Sequence, residues 1–221
     1  MVLAEKGLGY NPRKAMYGST KAKMDASETV YYNVAVEKVL KLLELENLDP
    51  STELENYLSA RADGKMAMDH FVKDKEGTIS SVQSRFRAPK FASYGDFTIR
   101  YDKPSVSSYT GKTVECEFHH LNADLFLYGI CDFDLNEDAT RVRNLNKWIL
   151  VSLVEFRKLV KEGKIVQDEK LTQCEVHGGK LYCPIKSNKG DKDTRFTVIN
   201  IKLAAELFDN LILAQKNYVK K

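Results

Sequence analysis

The hydrophobic period of the chain changes along its length. Tyr32, Ala35, Val36, Val39, Leu40 and Leu43 recur at helical spacing behind Asp25 and Glu28, which stand three apart as in a capping box. This predicts a helix from residue 25 that stops at Asp49-Pro50-Ser51. A short helical stretch over 53–61 follows, and then the period falls to two. Strands are predicted over 66–73, 79–87, 96–101, 114–118, 125–130 and 148–151, punctuated by Pro89, Gly95 and Pro104. Ser152, with Glu155 three residues on, opens a helix that turns Phe156, Leu159 and Val160 inward and ends at Gly163. A hairpin over 181–186 and 195–201 brackets a charged turn, and Leu203, Leu207, Leu211 and Ala214 predict a last helix running to Lys221.

Size and charge narrow the picture. A chain of 221 residues with 43% apolar side chains can bury one good core, so a single α/β domain over residues 25–221 is expected. Residues 1–24 carry Lys6, Arg13, Lys14, Lys21 and Lys23 against Glu5 alone, together with Gly7, Gly9, Pro12 and Gly18. They carry +4 where the whole chain carries +3, so the rest of the chain sums to −1, and they lack periodicity. A flexible basic arm is expected there, suited to phosphate-backbone contact and equally to a solvated terminus. The four cysteines form no CxxC pair, which is read as reduced thiols in a cytoplasmic protein. No apolar stretch approaches the roughly 20 residues that span a bilayer, so no membrane partner is expected, nor does the N-terminus read as a signal peptide.

Candidate chemistry concentrates at Asp69, which interrupts the apolar run Met66-Ala67-Met68, and at the strand 79–87. A carboxylate in such a run is costly unless it binds a cation or accepts several hydrogen bonds. Strand alternation sets Ser81, Gln83, Arg85 and Arg87 on one face and Val82, Ser84 and Phe86 on the other. A turn at Lys75-Glu76-Gly77 would bring Asp69 beside Gln83 and Arg85: an acid, an amide oxygen and a guanidinium. Mg²⁺ takes hard oxygen ligands, so a carboxylate and a carbonyl can hold it, while a cation stabilises charge on a phosphate. The same residues also suit the solvated face of an edge strand. Glu115, Glu117 and His119, with His120, Asp132 and Asp134, match no zinc spacing and are read as a polar sheet face; His70 and His177 are read as structural or exposed. Phe91, Tyr94, Tyr101 and Tyr109 lie among Lys90, Arg100 and Lys103, a mixture suited to unpaired bases and also to core packing. There is no P-loop, GxGxxG or GxSxG.

The order of these elements resembles the PD-(D/E)XK nuclease superfamily, with its restriction-endonuclease-like or Holliday-junction-resolvase-like core, over roughly residues 25 to 160. Asp69 matches the family's Asp, Gln83 its Glu position, Arg85 its Lys position, and Glu28 the acid of the leading helix. The resemblance implies a central mixed β-sheet flanked by helices and a Mg²⁺- or Mn²⁺-dependent nuclease acting on DNA, more an endonuclease than an exonuclease. It implies Asp69, Gln83 and Glu28 as metal ligands, Arg85 as phosphate clamp, a possible homodimer, and phosphate contacts from Arg87, Lys90 and the arm residues Arg13, Lys14, Lys21 and Lys23. Gln in place of Glu removes a charge, and Arg in place of Lys removes a group able to shuttle a proton. The alternative is therefore an inactive module of the same fold that binds nucleic acid or a protein partner.

Overall fold

The computed structural model describes residues 19–48, 69–103, 114–187 and 194–218, with backbone alone over residues 19–24. The expected helical stretch at 53–61, the residues Met66, Ala67 and Met68, Arg13 and Lys14, and Tyr109 lie outside the described residues. The fold is α/β, with two six-stranded sheets. In the first, β1 (Glu46–Leu48), β2 (His70–Lys73), β3 (Ile79–Arg87), β6 (Leu125–Cys131), β7 (Leu145–Ser152) and β12 (Ile212–Lys216) follow one another across the sheet. Only the β3–β6 pair is parallel, so the sheet is mixed. The second runs β5 (Val114–Glu115), β4 (Asp96–Lys103), β11 (Arg195–Asn200), β10 (Lys180–Ser187) and β8 (Ile165–Asp168), with β9 (Glu175–His177) paired to β10.

The central strands explain the layering. In β6 and β7, Phe126, Tyr128, Ile130, Ile149 and Val151 enter one core while Leu127, Leu145, Trp148 and Leu150 enter another. Strands buried on both faces read as continuous apolar runs, as Leu125-Phe126-Leu127-Tyr128 and Trp148-Ile149-Leu150-Val151 do. One face is covered by the leading helix, α1 (Ser19–Val30), which continues over Tyr31–Leu40 as a π-helix. The other meets the second sheet, where the Phe97 ring lies 6.0 Å from Phe126 and 6.5 Å from Tyr128. A four-residue helix, α2 (Leu135–Asp138), is N-capped by Asp134; α3 (Leu153–Lys161) and α4 (Ile201–Leu207) follow β7 and β11.

Several boundaries differ from expectation. Helix α1 begins at Ser19, so the last six residues assigned to the arm, Lys21 and Lys23 among them, are helical. The π-helical turns move the buried stripe to Tyr31, Val34, Ala35, Val39 and Leu40 and leave Tyr32 41% exposed, because i→i+5 bonding rotates successive turns away from the α-helical face. The helix expected to reach Lys221 ends at Leu207, and 212–216 is a strand paired with β7. Asp209 and Asn210 break the helix, and the unpaired edge of β7 supplies ladder bonds that a continued helix would forgo.

Helix α3 follows its sequence signals closely. The Ser152 hydroxyl accepts from the Glu155 N–H at 3.2 Å, and Gly163 takes φ +65° where the Lys164 and Gly163 amides cap the carbonyls of Leu159 and Val160. Ser152→Ala should destabilise the fold by about 1 kcal/mol, read as a lower urea midpoint at unchanged slope. A loss below a few tenths would mean that the cap does not hold the helix start.

Candidate functional site around β3

Strand β3 carries the candidate residues and is flanked by two carboxylates. On the β2 side, Asp69 stands one residue beyond the paired register, and its Oδ2 accepts from the Ser84 N–H at 2.7 Å. On the β6 side, Asp124 Oδ2 accepts from the Ser81 N–H at 2.8 Å and the Ser81 hydroxyl at 2.7 Å. Both carboxylates occupy places that a neighbouring backbone carbonyl would otherwise fill, which meets the need of a buried strand for acceptors. Asp124 drew no attention in the sequence, because Asn122-Ala123-Asp124 reads as an ordinary approach to a strand.

The two faces of β3 have different surroundings. On the helix side, the His70 and Tyr31 rings stack at 3.4 Å and 4°, and His70 Nε2 lies 3.3 Å from Ser84 Oγ. Tyr31 donates to Asn47 Oδ1 at 3.0 Å, and burial, with Tyr32 and the Asp69 charge nearby, pushes its phenol up. The Asp69 carboxylate, 3.5 Å from Ser84 Oγ, belongs with this group. Glu28 is half-buried on α1, one helical turn before Tyr31 and Tyr32. His70 is thus a buried structural ring, and His177 an exposed one paired with Glu175.

Gln83 and Arg85 face the second sheet, as Phe126 and Tyr128 do beside them in the β6 register. Gln83 is 5% exposed, and its Oε1 is buried without a hydrogen-bond partner among the described residues. Such an oxygen costs about 1–3 kcal/mol, so the site is built around something that donates to it or ligates through it, or else it carries a standing penalty. Arg85 donates to the Thr98 carbonyl at 2.8 Å and pairs with Glu117, which also meets Arg100 at 3.4 Å. Burial pushes the Glu117 carboxyl up, but Arg85 and Arg100 outweigh it and hold the group below its ordinary value. Arg87 donates to Thr98 Oγ1 at 3.1 Å and lies 4.0 Å over the Phe91 ring; Lys90 lies 5.6 Å from the same ring and half-exposed Tyr94 6.2 Å away.

The placement is therefore divided. The structure sets Asp69 next to β3 at Ser84, Gln83 and Arg85 on the face toward the second sheet, and Glu28 on the helix over the opposite face. Among the described residues no three of His, Cys, Asp and Glu gather as a metal cluster. Glu117, read from the sequence as part of a polar sheet face, is instead the counter-ion of Arg85; it lies in a 3₁₀ turn, Glu117–His120, and not in the expected strand. Asp132 accepts from the Arg143 N–H at 3.0 Å. Two surface pockets lie elsewhere, one of about 280 Å³ lined in part by Leu43, Val72 and Leu213, the other of about 200 Å³ by Phe118, Phe156 and Arg157. No helix among the described residues is long and apolar enough to cross a membrane. No family model, characterised protein or solved structure matches this chain.

Proposed function

We propose that the chain is a Mg²⁺-dependent nuclease acting on DNA, more endonucleolytic than exonucleolytic, with Asp69 and Gln83 as its oxygen donors; the Asp69 carboxylate, which lies with the helix-side group, would have to turn to the face that Gln83 lines to share an ion with it. The observation that carries the reading is Gln83 Oε1, a buried amide oxygen without a partner among the described residues, on the strand that adjoins Asp69. One carboxylate and one neutral carbonyl suit a hard cation that keeps several waters, so the donor chemistry fits Mg²⁺ or Mn²⁺. When bound, the ion would polarise a phosphoryl oxygen and acidify a bound water. The chain's own work is positional. The Ser84 N–H holds one Asp69 oxygen, and the parallel ladder with β6 fixes Gln83. Arg87 and Lys90, gathered on Phe91 where β3 ends, would meet backbone phosphates, and exposed Tyr94 an unpaired base.

A second reading rests on the Arg85–Glu117 pair. A phosphate clamp needs free guanidinium donors, and those of Arg85 are engaged by Glu117 and the Thr98 carbonyl. That arrangement suits a module of the same class that binds nucleic acid without hydrolysing it. Purified full-length chain incubated with linear, nicked, branched and single-stranded DNA, in Mg²⁺, Mn²⁺ or EDTA, separates the two. The nuclease reading expects metal-dependent cleavage that Asp69→Asn abolishes while DNA binding is kept or strengthened, since a negative charge is removed. Binding without cleavage, with metal affinity indifferent to Asp69→Asn and Gln83→Glu, would leave the module.

A further inference from the structure

We propose that Cys174 and Cys183 form an oxidation-sensitive thiol pair that closes into a cross-strand disulfide. Strands β9 and β10 are joined by a two-residue turn, Gly178-Gly179, with φ of +57° and +73°, a conformation that matches strand twist and fixes register. The pairs run Lys180 to His177, Leu181 to Val176 and Tyr182 to Glu175, where β9 ends, and the same register carried one step further would set Cys183 opposite Cys174. Opposed residues of an antiparallel pair have Cα atoms about 4.5–5.5 Å apart, inside the roughly 4.4–6.8 Å that a disulfide spans. Cys174 packs against the core cluster that contains Cys183, and its thiol donates to the Val198 carbonyl at 3.2 Å.

The two thiols differ in a way that assigns their roles. Cys183 is fully buried, and the neighbouring Cys174 and burial push its thiol up, whereas Cys174 is half-buried and held below its ordinary value, chiefly by Cys183. Cys174 is thus the sulfur a peroxide reaches first, with Cys183 as the resolving thiol. The Cys174 thiolate attacks one peroxide oxygen, the O–O bond breaks, and a sulfenic acid and hydroxide form, the latter taking a proton to become water. The Cys183 sulfur then attacks the Cys174 sulfur, the S–O bond breaks, and hydroxide leaves with the Cys183 proton as a second water. Two thiols and one hydrogen peroxide thereby give one disulfide and two waters. Cys131 has no such partner: it is buried on the other side of the first sheet, its thiol pushed up to about 12 by burial and the charges of Asp132 and Asp134.

The test treats the full chain with hydrogen peroxide, quenches with an alkylating reagent, and maps peptides without reductant. The expected product is one linked peptide pair joining Cys174 to Cys183, with the intact mass lower by two hydrogens, a raised Tm, and reversal of both by dithiothreitol. Cys183→Ser should stop the reaction at a sulfenic acid on Cys174 that dimedone traps, and Cys174→Ala should leave Cys183 unmodified. Cys131→Ser is the control for a variant that changes a buried thiol elsewhere, and it should still give the linked pair. A linked peptide that involves Cys116 or Cys131, or Cys174 passing to sulfinic acid with Cys183 still free to alkylate, would overturn the proposal.

Discussion

Glu117→Ala should destabilise the fold by about 3 kcal/mol, because it leaves Arg85 largely buried without its counter-ion. The two side chains are only 16% and 19% exposed, so solvent screens the loss little, and the Thr98 carbonyl alone remains to Arg85. The pH dependence identifies the cause. The Glu117 carboxyl is held below its ordinary value of 4.5, so its stabilisation is fully present above that value and is lost as pH falls through the lower, folded value. Urea unfolding of both proteins between neutral pH and pH 3 should therefore show a difference that is constant at neutral pH and shrinks in acid. A difference that stays constant into acid would mean that packing, not charge, supplies it. Arg85→Ala should show the same acid-dependent loss, since it removes the other half of the pair.

What the sequence disclosed depended on whether one strand or one helix could carry the signal. Strand β3 was legible at both ends, and its alternation correctly set Gln83 and Arg85 on one face. The Ser152 cap and Gly163 stop of α3 were legible for the same reason: both are local. What covers the Gln83 and Arg85 face was not legible, because β4 reaches it from the second sheet and no local pattern states which sheet a strand joins. Glu117 shows the cost. It is separated from Arg85 by 32 positions, and its alternation with Glu115 reads as a wet face until the pairing of the sheets is known. The stripe Leu203, Leu207, Leu211 and Ala214 misleads for a related reason. Leu203, Leu207 and Leu211 stand four apart and Ala214 three further on, which is helical spacing, so only the turn at Asp209-Asn210 and the open edge of β7 decide where helix gives way to strand.

Gln83→Leu should separate a ligand-bearing amide from a merely buried one, with opposite signs in two measurements. Leucine has a similar volume and no polar atoms, so it removes an acceptor that has no partner in the described fold. Measured in EDTA, the variant should gain about 1 kcal/mol of unfolding free energy, the recovered part of that oxygen's desolvation cost. Measured with Mg²⁺, it should lose cleavage by at least the roughly 10–100-fold that removal of even an outer-shell partner of a metal ligand costs. A site that pays in stability for an oxygen it uses in function gives both results together. Loss of stability in EDTA would show that the amide nitrogen holds the second sheet in place and that the oxygen is incidental. Gain in stability with cleavage and metal affinity intact would remove Gln83 from the ion and leave Asp69 to hold it with another oxygen donor.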